Sequence, residues 1–183
     1  MQRFETERLV LRDWSINDAR DLYEYAKSPN VGPNAGWKPH DNIEESLGII
    51  QMFINEQQTW AIEDKHSHHV IGSVGLHKDP LRTNPGARML GYVLSEEFWG
   101  RGIIPEAVAE LIRYAFSKED VTILSIQHYD FNPRSGRVAE KLGFKNEGCL
   151  ESARKLYDGR ICSLVSYSLR REDYYLSTLS MRG

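Results

Sequence analysis

Apolar positions change period several times along this chain, and each change marks an element. Leu9-Val10-Leu11-Arg12 predicts a short first strand, and Ser15 to Asp18 offers helix-start chemistry for a helix reaching about Lys27, ahead of Pro29. Residues 30–40 (NVGPNAGWKPH) are dense in turn formers and predict a loop between two helices. The second of these opens on a capping box of Asp41 with Glu44 and runs to about Asn55. Thr59–Glu63 and Val70–His77 read as the strands of a hairpin across the polar turn 64–69, and Met89–Leu94 continues the meander.

Further along, Ala107, Val108, Leu111, Ile112, Ala115 and Phe116 recur at helical spacing and predict an amphipathic helix over about 105–117. Val121–Gln127 reads as a buried strand. A helix over 133–142 follows, with Asn132 as its cap, Pro133 at its first position and Gly143 as its stop. Strands near 144–151 and 162–170 close the chain. Neither a repeat nor a linker interrupts this order, so the expectation is one α+β domain over residues 1–183 with a mostly antiparallel sheet.

Charge narrows the class. With 23 Lys and Arg against 26 Asp and Glu, the net charge of −3 lacks the broad basic footprint of a nucleic-acid or anionic-membrane binder, so any anion site must be local. The first residues, MQRFETER, alternate charges where an export signal needs an apolar stretch, and no run approaches the ~20 apolar residues of a spanning helix; the expected location is the cytoplasm. Cys149 and Cys162 are then expected as reduced thiols. His66, His68 and His69 cluster in a polar hairpin turn without ligand spacing, so no metal is expected, and no Gly-x-Ser-x-Gly turn points to a serine hydrolase.

Candidate chemistry begins at Phe98-Trp99-Gly100-Arg101-Gly102-Ile103-Ile104-Pro105, where two glycines lie between a strand end and a helix start. Glycine permits a tight turn, and a helix start offers unpaired N–H groups with partial positive charge, a combination suited to a pyrophosphate. An ordinary strand-to-helix loop would look the same. Proline at 105 departs from the dinucleotide fingerprint, and no Gly-Lys-Ser/Thr follows as in a Walker loop. Arg134, Arg137 and Lys141 fall on one helical face, either as a phosphate-binding edge or as a solvated stripe.

Taken together, these segments resemble the GNAT superfamily of N-acetyltransferases, in particular its Rim-type branch of ribosomal-protein N-terminal acetyltransferases. Thr6-Glu7-Arg8-Leu9-Val10-Leu11-Arg12 is similar to the family's opening strand and Gly91-Tyr92-Val93-Leu94 to its fourth. Trp99 to Ala107 resembles its acetyl-CoA loop, and Asn132-Pro133-Arg134-Ser135 with Val138 to Phe144 resembles its second signature. The resemblance covers nearly the whole chain. It implies two parallel strands, near 90–94 and 121–127, that splay around the acyl donor. The backbone of Tyr92, Val93 and Leu94 would pair with pantetheine. Trp99, Gly100, Arg101, Gly102, Ile103 and Ile104 would hold the pyrophosphate, with Asn132 and Lys141 completing the cofactor set.

The implied reaction is direct attack of a neutral amine on the thioester of acetyl-CoA. Where many relatives carry a tyrosine acid this chain has Ala139, and Ser135 resembles the serine that Rim-type enzymes offer to the sulfur; capping of the first helical turn would equally suit it. Where many carry a glutamate base this chain has Met89, leaving His40, His77 and Glu147 as candidates. Trp37 and His40 would line the acceptor side by the same analogy. An α-amine with a pKa of about 7.8 is roughly a tenth neutral at pH 7, whereas lysine is disadvantaged by ~3.5 kcal/mol, so a weak base suffices for a protein N-terminus. Open alternatives are a small-molecule amine as acceptor and a non-catalytic acyl-CoA-binding module; a homodimer is also left open.

Overall fold

The structure, a computed structural model, describes residues 1–180. Its elements are β1 (Phe4–Glu5), β2 (Leu9–Arg12), α1 (Ala19–Ala26), α2 (Gly32–Ala35), α3 (Ile43–Glu56), β3 (Thr59–Asp64), β4 (Val70–Lys78) and β5 (Ala87–Leu94). There follow α4 (Ile103–Ser117), β6 (Ile123–Tyr129), α5 (Pro133–Lys141), β7 (Lys145–Lys155), β8 (Ile161–Arg170) and α6 (Arg171–Ser180). The strands form one sheet ordered β1-β2-β3-β4-β5-β6-β8-β7, antiparallel throughout except for β5 with β6. This is the α+β class and mixed sheet expected from the sequence.

Several boundaries differ from those expectations for local reasons. The α3 cap is Asn42, whose Oδ1 accepts from Glu45 N at 2.9 Å, while the Glu45 carboxylate accepts from Asp41 N at 2.8 Å; the box lies one residue beyond Asp41 and Glu44. Helix α4 begins at Ile103, because Gly102 takes the cap position with φ 74° and Pro105 is tolerated at the third position. Asn132 precedes α5 without capping it; its side-chain amide instead donates to Asn34 O at 3.1 Å. The loop 30–40 contains the single turn α2, ended by Gly36 at φ 91°, and α6 carries too weak a period to have been read.

Two apolar layers cover the sheet. On one face α4 buries Ile103, Ile104, Ala107, Val108, Leu111, Ile112, Ala115 and Phe116 in a core shared with Leu90, Leu124 and Ile126. Each fully buried Leu, Ile or Phe contributes about 1.5–3 kcal/mol, so this helix is the principal anchor of the central strands. On the other face α1 and α3 pack Leu22, Tyr25 and Ile50 against Ala61 and Val70. Among the described residues no helix is long and apolar enough to cross a membrane.

The feature that places the site is the only parallel pair among the described residues. Ala87 to Leu90 register with Ile123 to Ile126, and there the pairing stops. Gly91 to Leu94 stay paired with β4 and Gln127 to Tyr129 with β8, so the two halves of the sheet separate in a V.

Candidate active site

The V opens into a cleft of about 1160 Å³. One wall is the free edge of β5 from Gly91 to Leu94; the other is β6 from Gln127 to Tyr129 together with α5. A strand edge without a neighbour presents unpaired N–H and C=O groups, which an elongated ligand bearing amides can satisfy. The Leu94 carbonyl is already taken, since Trp99 Nε1 donates to it at 2.9 Å. Trp99 thereby fixes the strand end to the loop that follows, and its ring carries the Arg134 guanidinium at 4.5 Å, joining that loop to α5.

At one mouth of the cleft lies the N-terminus of α4. Gly100 and Gly102 have φ of 77° and 74°, in the left-handed region that other residues enter only with strain. The N–H groups of Gly102, Ile103 and Ile104 open the helix ahead of its first turn bond, which Glu106 N makes to Gly102 O at 3.2 Å. Ile103 and Ile104 turn their side chains into the core, so the loop offers backbone alone. The Arg101 side chain turns away from the cleft, its guanidinium 5.3 Å over the Phe98 ring, and the Arg101 carbonyl accepts from Arg8 Nη1 at 2.9 Å.

That loop is held from a distance in sequence. The Glu106 carboxylate accepts from Thr6 Oγ1 at 2.5 Å, Arg8 N at 2.9 Å and Arg8 Nε at 2.7 Å. Burial works against this carboxylate, yet those bonds outweigh it and hold the group below its usual range. The segment resembling the family's opening strand thus clamps the first turn of α4.

Deeper in the cleft, on the α4 face, two hydroxyls meet: Tyr92 OH lies 2.8 Å from Ser135 Oγ and 3.2 Å from Ser135 O. Burial pushes the Tyr92 phenol far up, so it keeps its proton. Helix α5 reaches this depth because Gly136 faces β6; a Cβ there would come within 2.8 Å of His128 Nε2 and 3.0 Å of the Tyr167 hydroxyl. Lys141 and Arg137 line the same wall further out.

On the opposite face of the sheet, His77 of β4 lines the cleft. Its ring occupies the space that a side chain at Gly75 would need and lies in ordinary contact range, 3.6 Å, of a Cβ at Gly91. Desolvation lowers its pKa below 6.5, so the imidazole is neutral at pH 7 and able to accept a proton. Trp37 also lines this side. His40 does not. It is buried with Nδ1 2.8 Å from Ser46 Oγ and its ring 5.2 Å from that of Trp37, so it supports the loop from behind. Nor is Glu147 free to act as a base, since Arg82 and Ser166 bind its carboxylate.

Sequence reasoning passed over Gln127. The available signal was the polar alternation Ser125, Gln127, Tyr129 in a strand otherwise built of Ile and Leu. The histidines of the 64–69 turn face different partners, His69 an Asp21 oxygen at 3.0 Å and His68 a Glu63 oxygen at 3.7 Å.

A sheet parted along its one parallel pair, with a helix N-terminus at one mouth and a hydroxyl pair inside, defines a site for a long ligand with an anionic end and a reactive centre at the split. Comparison with known proteins gives that class a family: residues 8–145 match the acetyltransferase (GNAT) domain. An uncharacterized N-acetyltransferase p20 of Bacillus licheniformis is 28% identical over 179 residues, covering 95% of this chain and 99% of that protein. The [ribosomal protein uS5]-alanine N-acetyltransferase of Escherichia coli is 27% identical over 156 residues, 80% of this chain and 79% of that protein. Among solved structures, a GNAT-family acetyltransferase from Bacillus anthracis superimposes with a TM-score of 0.84 at 18% identity, covering 93% of this chain and 99% of that one. The chain belongs to the GNAT acetyltransferase family and is an N-acetyltransferase.

Proposed function

We propose that the protein transfers the acetyl group of acetyl-CoA to the α-amine of a protein or peptide N-terminus. The observation that carries this reading is the V between β5 and β6, which joins the N–H groups opening α4 to the Tyr92–Ser135 hydroxyl pair along one free strand edge. The pyrophosphate lies on the backbone of Gly100 and Gly102 to Ile104, with pantetheine along Tyr92 and Val93. Asn132, beside the same channel, contacts its inner end, and the acetyl group rests where the strands part.

The amine nitrogen attacks the thioester carbon, forming the C–N bond. One N–H proton passes to His77, and collapse of the tetrahedral intermediate breaks the C–S bond. Tyr92 donates to Ser135 Oγ, leaving the serine O–H to stabilise the departing thiolate, which then takes up its proton through this pair from solvent. No acyl-enzyme forms.

The charge of the cleft favours this acceptor over the small polycations that other amine acetyltransferases would serve. Among the described lining residues Glu140 is the only carboxylate, and it lies on α5, accepting from Tyr167 OH at 3.3 Å. Arg154 is the charged residue at the acceptor end. A polyamine finds no anionic partner there, whereas a peptide with one α-amine needs none. Thiol release from acetyl-CoA with a panel of N-terminal peptides, polyamines and aminoglycosides tests the reading: peptides are expected to be the better substrates, with an acid limb below pH 6.5 that is lost in His77→Ala. Faster turnover of a polyamine would reverse the acceptor assignment.

The clamp on α4 adds a prediction. Arg8→Ala removes the guanidinium bonds to Glu106 and to the Arg101 carbonyl while the bonds from Thr6 Oγ1 and the residue 8 amide remain, and a loss of about 1 kcal/mol in loop order raises the acetyl-CoA Kd about fivefold while kcat at saturation holds. Titration calorimetry reads the affinity, and an unchanged Kd would show that the loop holds its own shape.

A further inference from the structure

Behind the cleft lies a carboxylate that the mechanism above does not use. Asp79 follows β4 and is 1% exposed, yet all its acceptor positions are filled. Its Oδ1 accepts from Leu81 N at 2.8 Å and from Gln127 Nε2 at 3.1 Å; its Oδ2 accepts from Ser125 Oγ at 2.7 Å and from Arg82 Nη1 at 2.5 Å. Arg82 in turn binds Glu147, which Ser166 Oγ also reaches at 3.0 Å. Burial alone would favour the neutral acid, but these donors outweigh it and keep Asp79 ionised. An ionised carboxylate only accepts, so the Gln127 amide can present only its NH₂ group to it. The amide is therefore locked, and its Oε1 must face away from Asp79.

What lies on that other side is the split in the sheet. Gln127 lines the cleft, and it is the first β6 residue past Ile126, where pairing with β5 ends. Strand alternation puts it on the face of Ser125, and the register puts Met89 and His77 on that face too. Tyr92 and Ser135 approach from the α4 side, so the acceptor amine meets His77 and Gln127 on one face and the thioester on the other.

We propose that Gln127 Oε1 is the binding group for the acceptor amine and that Asp79, with Arg82, is the positioning residue that fixes it; this rests on the acetyl-transfer reading above. A neutral primary amine has two N–H groups. One is donated to Oε1 and stays there through attack, while the other proton is surrendered to His77 as the C–N bond forms. A secondary amine such as N-methylalanine or proline has one N–H, which cannot serve both residues. The site is thereby specific for primary amines by count of N–H groups.

The test compares a peptide beginning with alanine with the same peptide beginning with N-methylalanine, in the wild type, Gln127→Leu and Asp79→Asn. In the wild type the methylated peptide should be poorer by at least about tenfold in kcat/KM, the scale of one hydrogen bond made to an ionising group. Gln127→Leu should lower kcat/KM for the primary amine by about tenfold or more, leave the methylated peptide nearly unchanged, and keep the KM for acetyl-CoA. Asp79→Asn, able to donate as well as accept, frees the amide to flip and should reproduce the pattern in weaker form. The melting shift given by acetyl-CoA reports the fold of each variant; if Asp79→Asn does not fold, Gln127→Leu decides alone. Equal losses for both peptides would make Gln127 a structural residue and overturn the proposal. No thiol release by the wild type with any amine would instead overturn the acetyl-transfer reading on which it stands.

Discussion

Gly102→Val is expected to weaken acetyl-CoA binding on the order of a hundredfold while the protein remains folded. The cause is conformational. A Cβ at this position would meet only Arg8 Nη2, at 3.7 Å, so space within the protein is not the objection. The objection is φ 74°, which a β-branched residue adopts only at a cost of roughly 1–3 kcal/mol. The chain relieves that cost by rotating the cap and misdirecting the three N–H groups that open α4. Valine also interposes two methyl groups where a phosphate must reach backbone. Calorimetric titration with acetyl-CoA, beside a melting curve without ligand, separates the two effects. Wild-type affinity in Gly102→Val would show that the loop merely connects β5 to α4.

The second large effect belongs to the hydroxyl pair. Ser135→Ala removes the donor that Tyr92 holds in place at 2.8 Å, and a donor that acts on the thiolate matters more as the C–S bond breaks than before. A fall in kcat of at least about tenfold is expected, with acetyl-CoA affinity within about threefold of wild type. Tyr92→Phe should lose less, and the double variant little more than Ser135→Ala, because the two act as one unit. A weaker affinity at unchanged kcat would assign Ser135 to cofactor binding, and two additive losses would dissolve the pair.

The sequence was informative where period and local chemistry coincide. The stripe from Ala107 to Phe116 has one helical reading, and glycines at 100 and 102 before it mark the tight turn that opens the helix. Legibility failed where partners are distant. Asn132 looked like a cap because Pro133 follows it, but its amide has a better acceptor in Asn34, which lies 98 positions away. His40 and His77 were equivalent as letters; one packs on Ser46 and the other fills the space a side chain at Gly75 would need. Asp79 could not be singled out at all, since its donors come from its own loop and from β6. Local pattern fixes elements, whereas a cleft between strands is a property of pairings that the pattern does not encode.

The clamp between Arg8 and Glu106 also bears on how the protein breathes. Edge strands and their flanking turns open most readily in native proteins, and β1 with β2 forms one edge of this sheet. Because residues 6 to 8 hold the first turn of α4, excursions of that edge are expected to release the turn as well, joining the two regions across 98 positions of sequence. A ligand seated on the α4 turn is therefore expected to slow amide exchange in β1 and β2, so that the edge of the sheet would report occupancy of a cleft that lies four strands away.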